Sequence, residues 1–315
     1  MTKHRTTFGR RTLIGGAFAW LTLIGRAEGT ESGGDEFAEV EAIAKKAGLR
    51  GFGKVETTHF LGVGDATPAY REEATRACES VAVEYLKVLK AKGFAELALT
   101  DAKLTVVILA EAASYSAFVG RRDEGIAVGG HYDLDTNRLV VFDFRPSQGK
   151  VDASAARINS FTLGHEACHL ISFNSGLLDR RGDVPLAISE GFATYGETWR
   201  PKGRGKVGAN NLDRLRGLSP PGSKPPAWIP IDRLIADDEL LVREETRDAA
   251  YAEAWALVHT MLETPASVER LKAYLRAIRA RNDSTHRAAD AAAHFGDLTG
   301  LDAEVRRAVR RMMPR

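Results

Sequence analysis

The run His165-Glu166-Ala167-Cys168-His169 brings together side chains able to hold a metal ion and to move a proton. It lies in a segment, 153–173, that reads as a helix, with Phe161, Leu163, Leu170 and Ile171 as apolar footing. Four residues turn a helix by about 400°, so the two imidazoles sit about 40° apart on one face and one turn apart in height. That placement lets both reach a single Zn²⁺ at about 2.0–2.1 Å. Glu166 falls about 100° round the helix, off the ligand axis, where a carboxylate can take a proton from an activated water.

A catalytic zinc has three protein ligands and an open fourth position. Glu190 supplies the third candidate, in the run Ala187-Ile-Ser-Glu190-Gly191-Phe192-Ala193, 21 residues beyond His169. This second helical run follows a connection, 174–184, rich in Asn, Ser, Gly and Asp, so helix, loop and antiparallel helix would return the carboxylate beside the imidazoles. A carboxylate among such apolar neighbours is costly to bury unless a cation accompanies it.

The two runs together resemble the gluzincin-type, or peptidase MA-like, zinc metallopeptidases, and are nearest to bacterial members known only as domains of unknown function. The group's pattern is H-E-x-x-H, a spacer of about twenty residues and then E-G-x-A, matched here by His165-Glu166-x-x-His169 and Glu190-Gly191-Phe192-Ala193, with Tyr195 and Glu197 following. The resemblance implies a zincin-like α+β fold, one Zn²⁺ on His165, His169 and Glu190, Glu166 as general base and later proton donor, and a peptide or protein substrate. Members also use an edge strand ahead of the zinc helix to pair with the substrate backbone, for which Leu139–Phe144 is the expected segment; an interior sheet strand is the alternative reading. They place a phenol beyond the third ligand. Tyr251, 61 residues after Glu190 on a helical run with Trp255 and His259, is accordingly the expected oxyanion donor, with His259 behind it and core packing the alternative for both.

Two departures from the group's pattern bear on activity. Gly130-His-Tyr-Asp-Leu-Asp-Thr-Asn137 stands where aminopeptidases carry Gly-x-Met-Glu-Asn, which favours an endopeptidase. Thr194 stands where thermolysin-like members place the Asp that orients the first imidazole, so another group must do so. The competing function is a zinc-containing envelope protein or binding module that keeps a peptidase scaffold without catalysis. A structural zinc would normally add a cysteine ligand, and Cys168 falls about 60° from His165 on the helical wheel, pointing away. His131, Asp133 and Asp135 could form a second small metal cluster or simply a turn. Cys78 and Cys168 read as buried small hydrophobes.

The elements that position these groups mix strand and helix in the front half and are helical behind. Val55–Val63 and Leu104–Leu109 read as strands, Arg138–Phe144 as another, and Pro68–Lys92 as a long helix. The expected fold is α+β, a mixed sheet with the H-E-x-x-H helix and a helical C-terminal portion. The resemblance implies one zincin-like metallopeptidase domain over residues 55–315, read as an α/β part over 55–200, a Pro-, Gly- and Lys-rich surface loop over 201–230 and a helical part over 231–315. Residues 28–54 read as a flexible lead-in.

With 44% hydrophobic and 27% charged residues the composition is that of a globular protein, which excludes disordered, collagen-like and repeat classes. Five of the 44 basic residues precede Glu28, leaving 39 against 42 acidic side chains, so no nucleic-acid partner is indicated. The first 27 residues join Arg10-Arg11 to an apolar run over 12–25, too short to span a membrane comfortably. They read as a twin-arginine signal peptide for export to the periplasm or beyond, with an ordinary secretory signal or an uncleaved anchor as alternatives. After its removal no stable membrane insertion is expected.

Overall fold

The computed structural model describes residues 35–120, 129–145, 153–203, 205–218 and 226–313, so the expected signal segment lies outside the described residues. A single five-stranded sheet is built from β1 (Gly53–Glu56), β2 (Phe60–Gly64), β3 (Leu104–Leu109), β4 (Gly130–Asp133) and β5 (Arg138–Phe142), in the spatial order β1-β2-β3-β5-β4. The three central strands β2, β3 and β5 run parallel, and β1 and β4 pair antiparallel at the two edges. The continuous apolar runs of β3 and β5 match strands covered on both faces.

Helices α2 (Pro68–Ala91) and α4 (Ala153–Asn174) cover one face of the sheet, and α1 (Glu36–Lys46) and α3 (Ala112–Val119) cover the other. Val106, Ile108, Leu139 and Val141 face α2 and α4, whereas Leu61, Val107, Val140 and Phe142 face α1 and α3. Helices alone follow among the described residues: α5 (Leu186–Gly196), α6 (Leu212–Leu215), α7 (Ile231–Ala236), α8 (Glu239–Val242), α9 (Glu244–Met261), α10 (Pro265–Arg279), α11 (Arg287–Phe295) and α12 (Leu298–Met312). The mixed sheet with a helical C-terminal part agrees with the fold class read from the sequence. Among the described residues no helix is long and apolar enough to cross a membrane.

Three sequence expectations are corrected. Leu139–Phe144 is not an edge strand: β5 ends at Phe142 and is paired on both sides, and the outer position belongs to β4. The reason is compositional, since a strand apolar on both faces is driven inside the sheet, while Gly-His-Tyr-Asp can leave one side open. The lead-in is docked from Asp35 onward. Val40 and Ala44 of α1 are fully buried, and Glu36 and Glu39 grip the buried Arg138 of β5 at 2.6 and 2.7 Å. The 201–230 segment is not only surface loop, because α6 and the turn after it bury Asn211, Arg214, Leu215 and Leu218.

Both cysteines are buried as free thiols within the main core, as expected.

Candidate metal centre

The H-E-x-x-H helix is interior. From Leu163 to Ser172 every residue of α4 is buried, and so is every residue of α5, the helix that carries Glu190. Helices covered all round read as largely apolar, and outside the site the buried hydroxyls of Ser189 and Thr194 are bonded to their own helix backbone. Glycine permits their close approach. A Cβ on Gly191 would stand 2.6 Å from the backbone oxygen of Ala254 and 2.5 Å from Val258 Cγ2 on α9, and one on Gly196 would collide with Cys168 Sγ on α4. Gly191 of the E-G-x-A run is thus required where α5 meets α9, and Gly196 where it meets α4.

This packing brings the three expected ligands together. His165 Nε2 lies 3.2 Å from His169 Nε2 and 3.2 Å from Glu190 Oε2, and His169 Nε2 lies 3.4 Å from Glu190 Oε1. Ligands at about 2.0–2.1 Å around a tetrahedral ion are separated from one another by about 3.3–3.4 Å, so these spacings fit one zinc-sized ion. Among the described residues this is the one group of three or more His, Cys, Asp or Glu side chains so placed.

Charge supports the same fit. Glu190 is completely buried, yet neither carboxylate oxygen receives a hydrogen bond in good geometry, an expensive condition for an anion unless a cation is supplied. Glu166, Glu190 and Glu197 are three buried carboxylates facing one buried guanidinium, Arg214. With neutral imidazoles the cluster carries two excess negative charges, which a divalent cation would balance. When no ion is present a proton takes over part of that task. Burial disfavours the charged form of His165, but the adjacent Glu190 carboxylate and the hydrogen bond to Glu197 outweigh it and push the imidazole up to about 10. Burial likewise opposes ionisation of Glu190, and His169 and His165 together hold it well below the usual carboxylate range.

His165 has the orienting group that the sequence left open. Its Nδ1 donates to Glu197 Oε1 at 2.6 Å, which fixes the tautomer and leaves Nε2 free to bind. Glu197 follows Glu190 by seven residues, two helical turns, and therefore emerges on the same face of α5. It also accepts from Asn211 Nδ2 and Arg214 Nε, both at 2.9 Å, and from Arg214 Nη2. Burial opposes its ionisation and the Arg214 charge overcomes that, holding Glu197 down at about 2. Two of these partners went unnoticed in the sequence because they sit in a polar, Pro- and Gly-rich segment. The H-E-x-x-H…E-G pattern itself contained no signal for Asn211 or Arg214.

Glu166 is held from the sheet. The main-chain N–H of Tyr132 on β4 donates to Glu166 Oε2 at 2.9 Å, while Oε1 lies 4.0 Å from His165 Nε2. Burial raises its proton affinity, with the two imidazoles opposing and Glu190 adding to the rise. The Tyr132 ring stacks with His169 and Phe173, with centroids 6.5 and 5.6 Å apart. Beside these residues a cleft, partly open to solvent, reaches Glu166, His169 and Glu190. Its walls include Tyr132, Leu134, Phe173 and Val184.

Tyr251 of α9 joins the site. It is buried, its ring centroid lies 6.5 Å from that of His165, and the Arg214 guanidinium covers its ring at 4.7 Å. Burial pushes its phenol up, and the nearby charges of Glu190 and Glu166 push it further. His259, two turns on, packs instead against Trp255 and Tyr195 and is half-buried at the margin of the core, away from the cluster. The suggested second cluster is a turn: Asp133 Oδ1 accepts from the N–H groups of Asp135 and Thr136, and His131 Nδ1 bonds to the Tyr115 hydroxyl.

Residues 159–283 match the model of a family described as a protein of unknown function, DUF1570. The matched stretch includes the clustered His165, His169 and Glu190 together with Glu166, Glu197, Arg214 and Tyr251. A search of curated proteins returned no match.

Proposed function

We propose that the chain is a zinc-dependent peptidase, an endopeptidase acting on extended peptide or protein substrates. The observation that carries this reading is the convergence of His165, His169 and Glu190 at zinc-like spacings, with His169, Glu190 and a second carboxylate, Glu166, lining a cleft. Resemblance to the gluzincin-type metallopeptidases, carried by the H-E-x-x-H and E-G-x-A runs, supports it as well.

His165, His169 and Glu190 would hold the ion, whose contribution is Lewis acidity toward the scissile carbonyl and toward water. Glu166 takes a proton from the attacking water as its oxygen bonds to the carbonyl carbon. It then returns that proton to the amide nitrogen as the C–N bond breaks. Its pinned Oε2 leaves Oε1 to carry the proton. The Tyr251 phenol donates a hydrogen bond to the carbonyl oxygen as negative charge gathers there. The outer side of β4 is available to align the substrate backbone by strand addition. The Arg10-Arg11 signal-like segment supports export, and the absence of the Gly-x-Met-Glu-Asn run supports internal rather than N-terminal cleavage.

The test is cleavage of an unfolded protein and of a peptide library by the purified protein, with zinc and with a chelator. Zinc-dependent internal cleavage is expected. Stoichiometric zinc with no turnover of any peptide would favour the non-catalytic binding module.

A further inference from the structure

We propose that Arg214 is a positioning residue of the metal centre, reaching it from a segment outside the two helices that carry the ligands. The inference rests on the metal-site reading and adds to it a residue on which the orientation of His165 depends.

Three observations converge on Arg214. First, its guanidinium engages both oxygens of Glu197, Nε to Oε2 at 2.9 Å and Nη2 to Oε1, while the same Oε1 accepts from His165 Nδ1 at 2.6 Å. A carboxylate held by a two-point fork cannot rotate about its terminal bond, so the position of Oε1 under the imidazole is fixed by Arg214 rather than by Glu197 alone. Second, Arg214 is itself locked. It is 3% exposed, its backbone N–H is capped by Asn211 Oδ1 at 3.2 Å, and Asn211 Nδ2 ties that cap to Glu197 Oε2 and to the backbone oxygen of Thr194 on α5. Third, the guanidinium lies across the Tyr251 ring at 4.7 Å and near that of Phe161, one turn before His165, at 5.6 Å. One planar cation therefore touches the partner of a ligand, the phenol nearest the cluster and the helix that bears both imidazoles.

A buried ion pair that merely supported the fold would need none of this directionality, and burial of such a pair is in itself a poor source of stability. Here the pair lies one hydrogen bond from a ligating imidazole, where outer partners typically change metal affinity by about 10–100-fold when altered. Lysine in place of Arg214 keeps the charge and loses the fork, because an ammonium group is a point donor without the planar two-point geometry.

The deciding experiment measures zinc affinity by chelator competition, with the Co²⁺ absorption spectrum as a second readout, on folded wild-type protein and on Arg214→Lys. The paired variant Glu197→Gln with Arg214→Met is measured alongside, since it removes both charges together and keeps an acceptor for His165. Zinc affinity at least about tenfold weaker in both variants, with the Co²⁺ bands shifted, is the expected result. If Arg214→Lys does not fold, the paired variant alone decides. Affinity within twofold of wild type in the folded variants, with an unchanged spectrum, overturns the role of Arg214 and leaves the metal site standing. A wild-type protein that takes up neither ion overturns the metal reading together with this one.

Discussion

Tyr132, on the edge strand, donates its backbone N–H to Oε2 of Glu166, on the helix beneath, at 2.9 Å. The proposed base is thereby fixed by main chain, and only proline at 132 would remove the donor. Only the side chain of Glu166 is then at issue chemically, and Glu166→Gln is expected to bind zinc as wild type does while peptide hydrolysis falls by about 10²–10⁴-fold. Equal loss of zinc and activity would instead make Glu166 a ligand or a structural residue.

Tyr251→Phe separates the phenol's hydroxyl from the ring that Arg214 covers. If the hydroxyl stabilises the carbonyl oxygen in the transition state, kcat drops by about 10²–10³-fold with KM and zinc affinity nearly unchanged. A KM effect at constant kcat would place Tyr251 in substrate binding only.

Gly191→Ala adds a methyl group where only 2.5–2.6 Å separates its position from α9. Overpacking of this kind costs about 1–3 kcal/mol, and the neighbouring Glu190 would move with the helix. Denaturant unfolding should show the loss of stability and chelator competition the loss of zinc affinity. An unaltered protein would mean that α5 and α9 part without cost.

Proton linkage gives the zinc-free and zinc-bound forms different pH dependence. His165 is raised from 6.5 to about 10 without the ion, so the stability from its charged form is fully present below about 6.5 and lost as pH rises through about 10. A cation displaces that proton, so zinc affinity climbs over the same range. Thermal melts of chelated protein should therefore lose Tm between pH 7 and 10 by more than those of zinc-loaded protein; parallel curves would contradict the linkage.

Glu253 offers a test away from the cluster. Burial raises it to about 8, against the hydrogen bonds that both its oxygens accept from Ile229 N–H at 3.1–3.2 Å. A raised folded-state value means stability fully present below the unfolded value of 4.5 and lost as pH rises through about 8. Glu253→Gln should accordingly raise Tm at pH 9 and change it little at pH 5. A loss of Tm at pH 9 would show that the ionised form is the better partner for Ile229.

The residues that could be read directly from the chain were those whose geometry is local. The pair His165 and His169 follows from helix periodicity, and Glu190 from a helical return after a short loop, so the cluster needed little beyond its motifs. The strand of Leu104–Leu109 and the helical back half were likewise legible from apolar periodicity. Contacts set by tertiary packing were not. Arg214 reads as a solvated charge until Glu197 is seen buried against it, and a basic residue amid Pro, Gly and Lys carries no local mark of burial. The choice of β4 over Leu139–Phe144 as edge strand was partly legible, since four successive apolar positions, Leu139 to Phe142, already imply cover on both faces. The docking of α1 depended on Arg138, whose partners Glu36 and Glu39 lie about a hundred residues earlier, a separation that periodicity does not bridge.

An anomalous difference map recorded at the zinc absorption edge, from crystals grown with zinc, examines the convergence of the three side chains most directly. One peak is expected per chain, about 2.0–2.1 Å from His165 Nε2, His169 Nε2 and a Glu190 carboxylate oxygen. No peak there, or a peak ligated by other residues with Glu190 turned away, would contradict it.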